Sequence, residues 1–384
     1  MKTVICIDSF KGSMTSLEAG ASAREGVLLA LPDTEVHILP LADGGEGTAE
    51  ALLSTLGGER VTVEVTGPLG EAHKASYGIL PGDSPPERTA VMEMSEASGI
   101  TLVPEALRSP LKTTSYGTGE MIRHAVMEKG CRKIIIGVGG SATNDGGFGM
   151  LSALGYRFLD GDGREVERAG EGLGRIVRID GAGVPRKILE CDITVASDVE
   201  NPLLGENGCS AVYGPQKGAD AECVRLMDGW LKSFADLTAT HLGRDERSAP
   251  GAGAAGGMGF ALLSYLGATL TPGAELIAEV SGLSETLRGA DLVITGEGRL
   301  DGQSAMGKGP LRIAKMAKES GAAVIALAGS VTEGARELNR YIDAFFPILR
   351  SPCTLAEAMD RDAAMKNMRL AAEQAVRLFA IGRR

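Results

Sequence analysis

The sequence predicts an α/β protein of two domains, and three observations carry that expectation. At 384 residues the chain is longer than a single hydrophobic core usually spans. Five β-rich runs each end in a cluster of glycine, acidic and hydroxyl residues and then pass into a helical pattern, which is how βα units of a doubly wound sheet read. Among these units lie hairpin and turn signals of a different kind, which indicate an inserted second domain.

The first unit is Val4 to Ile7 followed by Asp8-Ser9-Phe10-Lys11-Gly12-Ser13. Thr15 and Glu18 then form a capping box, Leu17, Ala21 and Leu28 share a helical face, and Pro32 ends the helix, so Lys11 falls in a strand-to-helix loop. The second unit is Val36 to Leu39, then Asp43-Gly44-Gly45-Glu46-Gly47-Thr48, then a short helix closed by Gly57-Gly58. Hairpin and turn signals follow at Val61 to Val65, Thr66-Gly67-Pro68-Leu69-Gly70, Pro81 to Pro86 and Asp160-Gly161-Asp162-Gly163. The third unit runs from Lys133 to Val138 into Gly139-Gly140-Ser141-Ala142-Thr143-Asn144-Asp145-Gly146-Gly147 and a helical segment closed near Gly155. The fourth strand, Ile193 to Ala196, enters Ser197-Asp198-Val199-Glu200-Asn201-Pro202. The fifth, Leu292 to Thr295, leads through Gly296-Glu297-Gly298-Arg299-Leu300-Asp301-Gly302-Gln303-Ser304 to a helix from about Leu311. Thr354 to Ala380 reads as one long amphipathic helix opened by a Thr354 and Glu357 capping box.

Composition removes several functional classes. Hydrophobic residues make up 43% and charged residues 23%, and apolar runs such as Ala322 to Ala328 are too short to cross a bilayer. The apolar run at the N-terminus meets Asp8 too early for a signal peptide, so a cytoplasmic location is expected. Six scattered cysteines without a Cys-x-x-Cys pair argue against a zinc ribbon and a secreted disulfide framework. A net charge of -11 repels nucleic acid. His37, His73, His124 and His241 have no metal-ligand spacing, and no G-x-S-x-G elbow occurs, which leaves zinc chemistry and serine hydrolysis without support.

In open α/β sheets the ligand crevice lies beyond the carboxyl ends of the strands, so five polar strand-end clusters imply one shared site. They supply what phosphoryl transfer needs: amides for phosphates, carboxylates for Mg²⁺, and a cation and base near the attacking hydroxyl. The loop from Gly139 to Gly147 is the phosphate cradle, with Gly139, Gly140, Ser141, Thr143 and Asn144 as donors. The strand-end acids Asp8, Asp43, Glu46, Asp145, Asp198, Glu297 and Asp301 exceed what helix capping requires, and Mg²⁺ with ATP would offset their repulsion. Asp301, Glu297, Asp43 and Asp145 form the metal set. Asp198 is the candidate base, with Asp8 in reserve, and Lys11 and Lys217 are candidates for a substrate carboxylate. Ser9, Asn201, Arg299, Ser304 and Lys308 complete the substrate and phosphate set.

Two motif matches carry less weight. Gly302, Gly307 and Lys308 fit the first part of a P-loop, but Gly309 stands where the metal-binding Ser or Thr belongs. Gly251-Ala252-Gly253-Ala254-Ala255-Gly256 is literally G-x-G-x-x-G, yet no strand is expected before it, so close helix packing or cleft lining is the better reading than dinucleotide binding.

Longer stretches around the same loops are DSFKGS at Asp8, LADGGEGT at Leu41, TSYGTGE at Thr114, GVGGSATNDGG at Gly137 and NPLLGENG at Asn201. They continue with YGPQKGA at Tyr213, PGAGAAGG at Pro250 and ITGEGRLDGQSAMGKGP at Ile294. In these stretches and their order the chain resembles the bacterial type I glycerate kinase family, from the N-terminus to about residue 375. The resemblance implies a discontinuous flavodoxin-like domain, here 1–60 and 286–384, and an inserted α/β domain, 61–285, likened to a restriction-endonuclease-like fold, with the active site in the cleft between them. It also implies ATP-dependent, Mg²⁺-requiring phosphorylation of D-glycerate, at C2 in preference to C3, in glyoxylate or sugar-acid catabolism. The residue roles given above rest on side-chain chemistry alone. Rival readings are a nicotinamide-dependent oxidoreductase acting on the same kind of hydroxy acid through the Gly251 run, and a non-catalytic nucleotide sensor.

Overall fold

The structure is a computed structural model that describes residues 1–41, 47–82, 88–302, 304 and 309–382. Among the described residues the strands are β1 (Lys2–Ile7), β2 (Glu35–Ile38), β3 (Glu59–Thr66), β4 (Ala72–Ile79), β5 (Thr89–Glu93), β6 (Lys133–Gly137), β7 (Arg157–Leu159), β8 (Arg178–Asp180), β9 (Asp192–Ala196), β10 (Thr269–Thr271), β11 (Leu292–Leu300), β12 (Ala323–Val331) and β13 (Ala344–Pro347). The chain divides into two compact units, one of Met1–Asp43, Glu50–Thr55 and Ala274–Arg384, the other of Gly44–Ala49 and Leu56–Gly273.

The first unit is a parallel sheet in the order β13-β12-β11-β1-β2. Numbered by chain order within the sheet, this is 2-1-3-4-5, the doubly wound arrangement whose direction of winding reverses between its first and third strands, here β1 and β11. Val4, Ile5, Cys6 and Ile7 are all buried because helices cover both faces, so the strand reads as a continuous apolar run and not as an alternation. The helix Ser16–Ala30 starts at the expected capping box, with Thr15 and Glu18 each bonding the other's backbone. It lies beside the helix Arg361–Ile381, joined by ion pairs Glu18–Arg361 and Glu25–Arg369 and pressed together at Gly26.

Three boundaries differ from the sequence reading. The strand expected to stop at Thr295 continues to Leu300, because β12 runs alongside and pairs Arg299 with Ser330 and Leu300 with Val331. The long C-terminal helix is two: the Thr354 and Glu357 box opens only Leu355–Ala358, and Asp360 caps a second helix by accepting from Ala363 N. The chain returns to the first unit at Ala274, not at residue 286, since Ala278, Leu283 and Leu287 pack with Val293 and Ala314.

The second unit holds a mixed sheet in the order β10-β9-β6-β5-β4-β3. β3 and β4 form the expected hairpin, closed by Gly67 N to Glu71 O at 2.7 Å, with Gly70 in the left-handed region that its turn requires. The strands β5, β6, β9 and β10 are parallel, so their carboxyl ends share one edge. Phe148, Phe158, Phe234, Phe260 and Tyr265 make edge-on and stacked contacts in the core beneath. No helix among the described residues is long and apolar enough to cross a membrane.

Gly26 tests the helix pair. A Cβ there would stand 2.1 Å from Arg369 O and 2.8 Å from Glu373 N, both backbone atoms, so Gly26→Ala forces the helices apart and should cost about 1–3 kcal/mol. Gly229→Ala is the control, because Gly229 lies in the helix Ala221–Leu242 with nothing within 4 Å, and it should raise stability by about 0.5–1 kcal/mol. Urea unfolding of both variants checks the contrast; equal effects would show that the helices tolerate separation.

Candidate functional site

The winding reversal in the first unit falls at the carboxyl ends of β1 and β11, where doubly wound sheets bind their ligands. Asp8 N donates to Gly296 O at 2.8 Å, which brings the two strand ends together. The Ser16 hydroxyl donates to Ile7 O and accepts from Leu41 N, tying the end of β1 to the exit of β2. Asp8 and Ser9 are half-buried here, the Asp8 carboxylate accepting from Ser9 N at 2.6 Å, while Lys11 stands exposed in the turn that Phe10 N and Met14 O close. On β11, Glu297 is half-buried and Arg299 exposed. Beyond it Asp301 and Ser304 bond reciprocally: the Asp301 carboxylate accepts from Ser304 N at 3.3 Å, and Ser304 Oγ accepts from Asp301 N at 3.2 Å. Arg299 Nε lies 3.3 Å from the other Asp301 oxygen. The structure therefore gathers Asp8, Ser9, Glu297, Arg299, Asp301 and Ser304 on neighbouring strand ends. Asp43, Glu46 and Lys308 lie outside the described residues. Among the described residues no group of three or more His, Cys, Asp or Glu stands where it could hold one metal ion.

The corresponding loop of the second unit follows β6. Gly139 and Gly140 reach the surface, and Ser141 to Gly147 are buried. Ala142 N donates to Ser98 O at 2.9 Å, Gly146 N to Gly256 O at 2.9 Å and Gly147 N to the Asp145 carboxylate at 3.0 Å. Those amides are spent inside the fold, which narrows the expected phosphate cradle to the Gly139-Gly140 corner. Asp145 accepts further from Ser115 N at 2.9 Å and Ser115 Oγ at 2.7 Å, so its carboxylate holds the loop whether or not a metal is present. Burial raises the Asp145 pKa, and the Ser115 and Gly147 bonds oppose that rise. Asn144 Nδ2 donates to Ser210 Oγ at 2.8 Å.

The Gly251 run packs against this loop. A Cβ on Gly256 would stand 2.2 Å from Thr143 O, and Ala255, Gly256 and Gly257 are all left-handed, with φ of 53°, 71° and 91°. The helix Ala221–Leu242 and a turn precede the run, so the strand that dinucleotide binding requires is missing and the oxidoreductase reading loses its footing.

Asp198 is exposed beyond β9 and accepts from Gly273 N at 3.2 Å. Asn201 uses both ends of its amide to close its own loop, donating to Asn207 O and accepting from Tyr213 OH, each at 2.8 Å. Lys217, a candidate for a substrate carboxylate, is only 2% exposed and donates to Ser141 Oγ at 2.8 Å and Thr143 O at 2.6 Å. Glu93 was missed altogether: it ends β5 and accepts from Gly47 N at 3.0 Å and Ala49 N at 2.8 Å, fixing the start of the helix Thr48–Leu56. The rule that singled out the other strand-end acids finds it once β5 is known.

Burial pulls the Lys217 pKa down from its ordinary 10.5 to about 8. The unfolded chain then holds more protons than the folded one between those values, so this group makes stability rise with pH across the window and fall as pH drops through 8. Urea unfolding of wild type and Lys217→Met between pH 7 and about 10 should show wild type gaining on the variant by on the order of 1–3 kcal/mol. A constant difference would mean that the buried amine does not change its charge.

Comparison with known proteins agrees with this architecture. A family model described as the glycerate kinase family matches residues 3–380. A glycerate kinase of Halalkalibacterium halodurans is 44% identical over 98% of this chain and 97% of its own length. The glycerate 2-kinase of Escherichia coli is 44% identical over 100% of this chain and 99% of its own. The crystal structure of a Salmonella typhimurium LT2 protein assigned as glycerate kinase 2 superposes with a TM-score of 0.89 at 45% identity, covering 100% and 99% of the two chains. With a match over nearly its whole length, and with relatives of the same extent, the chain belongs to the glycerate kinase family, and it is a kinase.

Proposed function

We propose that the chain transfers the γ-phosphoryl group of ATP to the C2 hydroxyl of D-glycerate, with Mg²⁺ as the activating ion, in the cytoplasm. The observation that carries this reading is the cluster at the winding reversal, where Asp8, Glu297 and Asp301 stand with Arg299 on adjoining strand ends. The name of the 44% identical Escherichia coli relative, a glycerate 2-kinase, supports C2 over C3. Six free cysteines suit a reducing compartment.

Mg²⁺ is commonly held by one or two carboxylates, with phosphate oxygens and waters filling its remaining positions, so Glu297 and Asp301 fit it without a third protein acid. When bound there, the ion supplies charge neutralisation at the phosphate oxygens. Arg299 orients the phosphates by charge and Lys11 the substrate carboxylate, with Ser9 and Ser304 as hydroxyl donors. The Gly139-Gly140 corner offers backbone amides. Asp198 takes the proton of the attacking hydroxyl, with Asp8 as the other candidate, and positioning outweighs proton transfer in such reactions, so removing the base should cost about 10²- to 10⁴-fold.

Phosphorus NMR of the product formed from ATP, Mg²⁺ and D-glycerate tests the reaction and its position together. A 2-phosphoglycerate resonance is expected; the 3-phospho isomer would overturn the position, and absence of transfer would overturn the reaction. Asp301→Asn tests the metal role separately. The amide oxygen can still accept from Ser304 N, so the turn and the melting temperature should persist, while lost charge lowers kcat at least ~10²-fold and raises the Mg²⁺ requirement. Wild-type turnover in that variant would reduce Asp301 to a turn residue.

A further inference from the structure

The amides of Gly139, Gly140 and Ser141 donate to no acceptor among the described residues, whereas those of Ala142, Gly146 and Gly147 are bonded inside the fold. Gly140 stands in the left-handed region, with a φ of +68°. Successive amides in a turn of this kind face one side and form a concavity for an anion. The turn is held from the end of β5: Met94 N donates to Gly137 O at 2.9 Å, Ile100 N to Gly140 O at 2.8 Å, and Ala142 N to Ser98 O at 2.9 Å. Gly99, which pairs with Ser141 in an isolated bridge, tightens the join, since a Cβ on it would stand 2.3 Å from Ser95 O.

Ser95 lies against the same turn: a Cβ on Gly140 would stand 3.5 Å from Ser95 Cβ. It is half-buried, and its hydroxyl meets no hydrogen-bond partner among the described residues. Charge comes from Lys217, 2% exposed, whose ammonium donates to Ser141 Oγ at 2.8 Å, on the residue that carries the last of the three amides. Its other partner, Thr143 O at 2.6 Å, is also uncharged. Asp145, the acid of the same loop, already accepts from Ser115 N, Ser115 Oγ and Gly147 N. A buried cation bonded only to neutral oxygens favours a negative charge close by, because the low dielectric around it screens little.

We infer that Ser95 is a substrate-binding residue, its hydroxyl completing an oxyanion seat with the amides of Gly139, Gly140 and Ser141 close to the Lys217 ammonium. Every one of these residues belongs to the second unit, so the seat is whole within it. The assignment deepens the reading of the chain as an ATP-dependent glycerate kinase and rests on it. The oxyanions on offer are then the carboxylate of the hydroxy acid and the phosphates of the nucleotide, and both accept hydrogen bonds of the strong, charge-assisted kind.

The test uses the full chain with Ser95→Ala and Ser95→Thr, reading KM for D-glycerate and for ATP separately together with the melting temperature. Ser95→Ala should raise one of the two KM values roughly tenfold to a hundredfold, as loss of a hydrogen bond to a charged group does. Its melting temperature should match wild type, because the hydroxyl has no partner in the fold to lose. Ser95→Thr keeps the hydroxyl and should return that KM most of the way to wild type. A rise for glycerate alone assigns the carboxylate, and a rise for ATP alone assigns the phosphate. Unchanged KM values for both substrates, or a lower melting temperature with untouched kinetics, would overturn the seat and leave Ser95 a structural residue. Should wild type form no ADP with glycerate, the kinase reading fails by itself. The seat is then read by thermal shift, where D-glycerate or inorganic phosphate must stabilise wild type at lower concentration than Ser95→Ala; equal shifts, or none, would overturn it.

Discussion

The parallel pairing of β1 with β11 is the constraint on which the first unit depends. Lys2 N donates to the Asp291 carboxylate at 2.8 Å and Asp291 N returns a bond to Lys2 O at 2.9 Å, joining positions 289 residues apart. From this pairing the winding reversal follows, and with it the meeting of Asp8 and Gly296. A strand inserted between β1 and β11 would separate those two residues by another strand width, about 4.8 Å, and break the polar cluster in two. Gly296 keeps the other side of β11 equally tight, because a Cβ on it would stand 2.0 Å from Leu327 O.

The second unit relies on internal polar bonds where the first relies on strand adjacency. Its loop after β6 is buried from Ser141 onward and is held by side chains brought from elsewhere in the unit: Ser115, Ser210 and Lys217. Such a network ties the loop to three other segments, and its two surface glycines inherit that rigidity. The left-handed stretch from Ala255 to Gly257 belongs to the same economy of space, since it lets one backbone lie on another with no side chain between.

Much of this was legible from local chemistry. The Thr15 and Glu18 box, the turn around Gly67 to Gly70 and the strand-end position of Asp8 and Asp198 depend on neighbours in sequence, and local signals report them. What failed depended on partners far away. Gly296 to Leu300 looks like a loop because glycine and charge disfavour strands, but β12 offers a ladder and the chain takes it. The break before Arg361 reflects a contest between two caps that periodicity does not register. Lys217 sits in Pro-Gln-Lys-Gly, and its burial depends on Ser141, 76 residues earlier. A strand-end carboxylate is marked by its strand, whereas the burial of a lysine is marked by nothing near it in sequence.

The pairing of β1 with β11, and of the helix Ser16–Ala30 with Arg361–Ile381, also has a consequence in time. Ribosomes add about 5–20 residues per second, so β1 emerges roughly 15 to 60 seconds before the strand it must pair with. Over that interval Ala19, Ala23 and Val27, all buried in the finished molecule, have no Ala372 or Val376 to cover them. The residues from Leu56 to Gly273 carry their own core and can fold meanwhile, which leaves the first strand and helix as the part of the nascent chain most in need of a chaperone.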